Sequence, residues 1–204
     1  MSEYLNQRNE IKQFFDGCAE NWDNHCTFDK EKIASIITLS AIKVGSRVVD
    51  IACGTGVLFP EILSRNPASV LGIDLSGEMI SKARNKFTDS RLRLLSSDLF
   101  DVHETGFDTA LLFSAYPHFP DKPKLAEHLV SMLRPDGRFV IAHSEGRSAI
   151  NHCHSGDTAS GISWPLRPAK EEAEVFLRCF HVDMLIDTPE IYLISGTKKS
   201  DPKD

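Results

Sequence analysis

One stretch constrains this chain more than any other: Val48-Val49-Asp50-Ile51, a short apolar run, passes through Ala52-Cys53 into Gly54-Thr55-Gly56 and then toward a helical pattern. A buried strand ending in a Gly-x-Gly turn brings its backbone close to a ligand, since a Cβ at either glycine would occupy the space that ligand needs. A nucleotide-like cofactor follows. A dinucleotide fingerprint requires a third small residue three positions beyond the second glycine. Phe59 stands there instead, which speaks against NAD or FAD. Asp50, just before the turn, sets negative charge where a pyrophosphate would lie, and favours a ligand carrying an ammonium group.

The rest of the chain supplies a sheet for that turn. Short β-branched runs at 47–51, 70–74, 91–95, 109–113 and 138–142 alternate with helical patterns at 57–65, 76–87 and 121–133, the pattern of a parallel sheet covered by helices. Ser76 and Asp121 are placed as caps, and Arg134-Pro135-Asp136-Gly137 ends the third of these helices in a type I turn. From Ser144 to Pro168 the composition is rich in Gly, Ser, His and Pro and has no period, so a long loop is expected. A helix over 169–180 and strands over 181–187 and 190–197 follow; Asp187-Thr188-Pro189 is too short for a crossover, so the last pair must be antiparallel. Residues 3–40 carry two helical patterns, interrupted around Asp16-Gly17 and Asp23-Asn24, and the tail from Lys198 is expected to fray. The organisation expected is one domain over 1–204: a helical cap (1–42), a cofactor-binding core (43–143), a loop or lid (144–168), and a final helix with a β-hairpin (169–197).

Composition narrows the partners. The chain has 204 residues, enough for a sizeable core, and 23 Lys plus Arg against 29 Asp plus Glu give a net charge of −6. No segment concentrates Lys and Arg enough to neutralise a row of phosphates, so nucleic acid is not expected as a substrate. No run approaches the ~18 apolar residues of a membrane span, and the mixed-charge N-terminus does not read as a signal peptide. Five cysteines without CxxC spacing read as reduced thiols of a cytoplasmic protein. The expected assembly is a monomer or a homodimer.

Two further carboxylates belong with the glycine turn. Asp74, in Gly72-Ile73-Asp74-Leu75-Ser76, lies eighteen residues past Gly56, where a carboxylate accepts hydrogen bonds from ribose hydroxyls. Asp98, in Ser96-Ser97-Asp98-Leu99, sits at the same carboxyl edge and can accept from an adenine amino group. These words, with Met79 and the turn Leu133-Arg134-Pro135-Asp136-Gly137, resemble the class I S-adenosylmethionine-dependent methyltransferases over roughly residues 10–197. The similarity is greatest to the small-molecule, type 11-like branch that includes the ubiquinone/menaquinone C-methyltransferases; Phe14-Phe15-Asp16 with Trp22-Asp23 resembles that branch's opening helix. The resemblance implies an α/β fold: a Rossmann-like seven-stranded sheet with helices on both faces, the last strand antiparallel, and an N-terminal helical cap. It also implies S-adenosyl-L-methionine as cofactor, S-adenosylhomocysteine as product, and a cofactor site built from Asp50, Ala52, Cys53, Gly54, Gly56, Asp74, Leu75, Met79, Ser97, Asp98, Leu99 and Ser114. Asp136 departs from the glycine that many members have.

The acceptor half is less legible. Methyl transfer from a sulfonium is an in-line displacement in which positioning supplies much of the rate, and a general base is needed only where the nucleophile starts protonated. Ser114-Ala115-Tyr116-Pro117-His118-Phe119 follows the fourth strand, so His118 is the first candidate for a base or acceptor-positioning group and Tyr116 the second. His143 ends the fifth strand ahead of Ser144-Glu145-Gly146-Arg147. His154 fits, with His143 and Asn151, a pattern His-(x)7-Asn-x-x-His shared by related sequences. The expected activity is methyl transfer to a small acceptor, aromatic or thiol-bearing, under a lid formed by the N-terminal helices and the 144–168 loop. Phe14, Phe15, Trp22 and Trp164 are candidates for the acceptor wall. No metal is assigned, although His152 and His154 around Cys153 leave a metal- or tetrapyrrole-associated S-adenosylmethionine-binding protein as an alternative, with an NAD-dependent oxidoreductase behind it.

Overall fold

The computed structural model describes residues 2–26, 28–153 and 162–200. In chain order the elements are α1 (Ser2–Cys18), a 3-10 turn (Ala19–Asn21), α2 (Trp22–His25), α3 (Lys30–Leu39), β1 (Arg47–Ile51), α4 (Phe59–Ser64), β2 (Ser69–Asp74), α5 (Gly77–Lys86) and β3 (Leu92–Ser96). There follow β4 (Phe107–Phe113), α6 (Lys122–Met132), β5 (Leu133–His143), α7 (Arg147–Cys153), α8 (Ala169–Ala173), β6 (Phe180–Asp187) and β7 (Tyr192–Lys198). The strands form one sheet in the order β3-β2-β1-β4-β5-β7-β6. β7 alone runs against the others, pairing antiparallel with both β5 and β6.

Alternation along the strands builds two cores. Val48, Val70, Leu111, Val140 and Leu193 face α3, α4 and α5, where Ile36, Ile62 and Ile80 close the layer. Val49, Leu71, Leu112, Ile141 and Ile194 face the other way, onto Leu125 and Leu129 of α6 and onto Ala173 and Phe176. A strand covered on both faces must be apolar at successive positions, which is why these runs are continuous rather than alternating. Ser76 Oγ accepts from Met79 N at the start of α5, and Asp121 accepts from Lys124 N at the start of α6, the two caps expected.

Several expectations need correction. α1 runs through Asp16-Gly17 without interruption. The 144–168 stretch is not all loop: α7 forms inside it, because Ile150 reaches the core and Asn151 donates to Leu166 O at 2.9 Å while accepting from Leu166 N at 2.8 Å. α8 is five residues long rather than twelve, and turn hydrogen bonds such as Phe176 N to Ala173 O carry the chain on toward β6. Asp136 does not occupy a type I turn position; its φ of 60° is left-handed, a conformation glycine adopts without cost. Lys198 does not fray, since it ends β7 and its Nζ donates to Val130 O and Leu133 O.

Candidate active site

After β3 the chain crosses back over β1 to lay β4 on its other side, so the strand order reverses between β1 and β4. Ligands of open α/β sheets bind outside the carboxyl ends at such a reversal. A cavity of about 520 Å³ lies there. At its floor Ala52 and Ser114, the residues immediately after β1 and β4, hold φ of 55° and 51°. Left-handed backbone at two non-glycine residues is a strain that surrounding contacts must sustain, and such strain gathers at functional sites.

The glycine turn divides its labour. A Cβ on Gly54 would find only Trp22 Nε1, at 3.9 Å, so Gly54 faces the cavity. A Cβ on Gly56 would strike the Phe87 ring at 2.8 Å and Phe59 closer still, and Gly56 does not line the cavity. The space at Gly56 belongs to packed aromatic rings, not to a ligand as expected. Phe59 also lies beneath Gly72, filling the position where a dinucleotide-binding turn keeps a small residue. Cys53 is buried against Gly72, and burial with the nearby Asp50 and Asp74 charges pushes its thiol pKa well up, which suits packing rather than nucleophilic chemistry.

Three carboxylates converge on this floor. Asp50 is 1% exposed and its Oδ2 has no hydrogen-bond partner among the described residues. Desolvation, then the neighbouring Asp74, raise its pKa well above the ordinary carboxyl range. Asp74 accepts from Gly54 N at 2.7 Å through Oδ2 and from Ser76 N at 2.8 Å through Oδ1. Burial outweighs both bonds and lifts its pKa to about 6. Asp98 accepts from Phe100 N at 2.9 Å and its Oδ2 lies 3.2 Å from Arg8 Nε. Leu75, Met79, Ser97 and Leu99 line the same cavity.

The cap is tied to each of these segments. Asp23 accepts from Thr55 Oγ1 at 2.6 Å, Asp16 from Ser76 Oγ at 2.6 Å, and Arg8 pairs with Asp98 and with Asp101. Arg8, Phe15 and Trp22 all face the cavity. Their seven-residue spacing is about two helical turns, a signal that would have singled out Arg8 from sequence.

Among the expected acceptor-side residues, His118 and His143 line the cavity and Tyr116 does not. Tyr116 is fully buried and its hydroxyl donates to Glu172 Oε2 at 3.0 Å. The 3-10 turn Tyr116–His118 sends the two side chains to different sides, so Tyr116 is held in the core. His118 makes an edge contact with Phe15 at 5.0 Å, and its Nδ1 lies 2.8 Å from Ile162 O. His143, 3% exposed, packs against Tyr192. His154 lies outside the described residues, and Asn151 of the same pattern is engaged with Leu166. Among the described residues no group of three or more His, Cys, Asp or Glu is placed to hold a metal ion. Phe15 and Trp22 line the cavity, whereas Phe14 and Trp164 do not; Glu145 and Phe119, from the segments after the fifth and fourth strands, line it too, as do Phe28, Phe113 and His25, which no motif singled out. The cavity thus presents the buried Asp50 carboxyl and acceptor oxygens at Asp74 and Asp98 on one floor.

Comparison with known proteins agrees. A family model described as a methyltransferase domain matches residues 48–137. The malonyl-[acyl-carrier protein] O-methyltransferase of Acetivibrio thermocellus is 26% identical over 149 residues, 71% of this chain and 52% of that protein. The ubiquinone/menaquinone biosynthesis C-methyltransferase of Citrifermentans bemidjiense is 35% identical over 103 residues, 47% of this chain and 44% of that protein. The chain thus spans about half the length of the curated relatives it matches. The fold is similar to the N-methyltransferase NodS from Bradyrhizobium japonicum, solved with S-adenosyl-L-homocysteine, at a TM-score of 0.70 and 13% identity over 96% of this chain and 100% of that one.

Proposed function

Residues 48–137 form a methyltransferase domain of the class I, S-adenosylmethionine-dependent kind, and from that premise we propose that the protein transfers a methyl group from S-adenosylmethionine to a small-molecule acceptor, leaving S-adenosylhomocysteine. One observation carries the reading: the buried Asp50 carboxyl, with an oxygen that has no partner among the described residues, lies beside Asp74 and opens onto a cavity whose floor is the Gly54 turn. A buried carboxylate is tolerated where a ligand compensates it, and the ammonium of the methionine moiety is such a ligand. Asp74 and Asp98 accept from the ribose and adenine parts.

When bound, the cofactor supplies an electrophilic methyl group on a sulfonium. Everything else falls to the chain. Asp50, Gly54 and Asp74 orient the donor; Phe15 and Trp22 on the cap, with Ile150 on α7, exclude water from the displacement. His118 takes a proton from acceptors that start protonated, and His143 borders the same space.

Charge narrows the acceptor. Arg8 is the sole Lys or Arg among the described residues lining the cavity, and it is already paired with Asp98 and Asp101. Asp74, Asp98 and Glu145, with the buried Asp50 carboxyl, leave the site without a free positive charge among the described residues. A free carboxylate or phosphate would enter unaccompanied, so a neutral or cationic acceptor fits, and Phe15, Trp22, Phe28, Phe113 and Phe119 favour one with an apolar or aromatic body.

Calorimetry tests the reading. S-adenosylhomocysteine should bind and NAD should not, and Asp50→Asn should weaken binding about tenfold, a change of about 1.4 kcal/mol. At pH 8 the ligand-free variant should melt no lower than the wild type, because burial already disfavours an ionised Asp50 and asparagine carries no charge to bury. NAD binding in place of S-adenosylhomocysteine would overturn the proposal.

A further inference from the structure

Tyr116 and Glu172 are buried, bonded to each other, and outside the cavity. Burying a carboxylate is costly even where, as here, Arg167 Nε lies 3.4 Å from it, and neither residue touches the space where ligands fit, so the pair needs a further reason to exist. Its setting supplies one. Tyr116 opens the 3-10 turn that ends at His118, and each of the three turn residues is gripped from the chain segment that returns after the 154–161 stretch. Tyr116 donates to Glu172 at 3.0 Å, Trp164 N donates to Pro117 O at 2.9 Å, and His118 Nδ1 meets Ile162 O at 2.8 Å. Glu172 is fixed in turn by Arg167, whose N donates at 3.2 Å and whose guanidinium donates to both carboxylate oxygens at 3.4 Å. Lys122 donates to the Tyr116 carbonyl and lies 3.6 Å from the centre of the Tyr116 ring.

The grip has a chemical consequence at the imidazole. A carbonyl oxygen only accepts, so the bond to Ile162 O places the proton on His118 Nδ1 and, in the neutral ring, the basic lone pair on Nε2. The ring keeps that tautomer only while the turn and residues 162–172 stay in register. We propose that Glu172 and Tyr116 are positioning residues for His118: through the Tyr116–Glu172 bond they lock the turn against the returning segment and so set which imidazole nitrogen is the base. The proposal rests on the methyltransferase reading for its function, but not for its geometry.

The His118 ring reports directly, without any acceptor. Long-range nitrogen–proton NMR spectra of the full chain at pH 8 distinguish the two tautomers, and S-adenosylhomocysteine affinity serves as the check on the cofactor half. Wild-type His118 should be in the Nδ1–H form. Tyr116→Phe and Glu172→Ala should each lower that population by about threefold or more, leaving S-adenosylhomocysteine affinity within about threefold. Glu172→Gln, whose amide oxygen still accepts from Tyr116, should restore it. A wild-type ring in the Nε2–H form overturns the proposal. So does a Tyr116→Phe variant that melts at lower temperature with its tautomer unchanged, since that marks a merely structural pair. Failure of the wild type to bind S-adenosylhomocysteine would overturn the proposed function instead, while the spectra would still decide the role of Tyr116 and Glu172.

Discussion

Asp74 illustrates how one side chain reports on a whole site. Its pKa stands at about 6 because burial outweighs two backbone hydrogen bonds, so the fold favours its neutral form between the ordinary carboxyl pKa and about 6. Ionising it costs stability as pH rises through that window, a cost complete above it. A ligand that donates hydrogen bonds prefers the ionised form. S-adenosylhomocysteine should therefore bind more tightly as pH rises from 5 to 7, and calorimetry across that range should find the dependence flattened in Asp74→Asn. The two glycines give a second contrast. Gly56→Ala meets φ of 90° and two aromatic rings, and should cost about 2–4 kcal/mol in denaturant unfolding. Gly54→Ala also meets a left-handed φ, of 55°, but only Trp22 Nε1 at 3.9 Å, and should spare more of the stability while weakening S-adenosylhomocysteine binding. Residue spacing made Asp50, Asp74 and Asp98 legible, because strand ends in a parallel sheet share one edge. It could not distinguish Gly56 from Gly54, since whether the rings of Phe59 and the distant Phe87 or a ligand fill the space above each depends on how the elements pack.

Among the elements, α7 was the least legible. Only Ile150 of Arg147–Cys153 is buried, so no apolar stripe marks a helix. What holds it is remote: Asn151 bonded twice to Leu166, and Arg147 facing Asp187 at 3.2 Å. Asn151→Ala should cost about 1–3 kcal/mol in denaturant unfolding, because it strands a buried carbonyl and N–H at Leu166, and should raise amide exchange there. By contrast α5 and α6 announced themselves through Ser76 and Asp121, caps that work within three residues. Sequence placed the N-terminal cap before β1, but the ties of Arg8, Asp16 and Asp23 to the loops after β3, β2 and β1 needed the fold.

At the scale of the molecule, the last strand in the chain is not the last in the sheet. β7 fills the place between β5 and β6, with Tyr192, Leu193 and Ile194 fully buried. Ending the chain at Cys179 would strip β5 of its β7 partner and uncover an apolar edge. Such a truncation should fail to give a monomeric folded species by gel filtration and circular dichroism, although residues 48–137 remain intact.

By itself the sequence determined what depends on near neighbours: the β-branched runs, the caps, the turn after β1, the antiparallel hairpin and the three strand-end carboxylates. Those follow from backbone sterics and from periods of two and 3.6 residues. The tertiary structure decided everything that needs a partner far along the chain. It placed Tyr116 on Glu172 instead of in the cavity, brought Phe87 over Gly56, set Arg8 beside Asp98, and held α7 by Asn151. Such contacts depend on how elements pack in space, and no local pattern encodes the partner's identity.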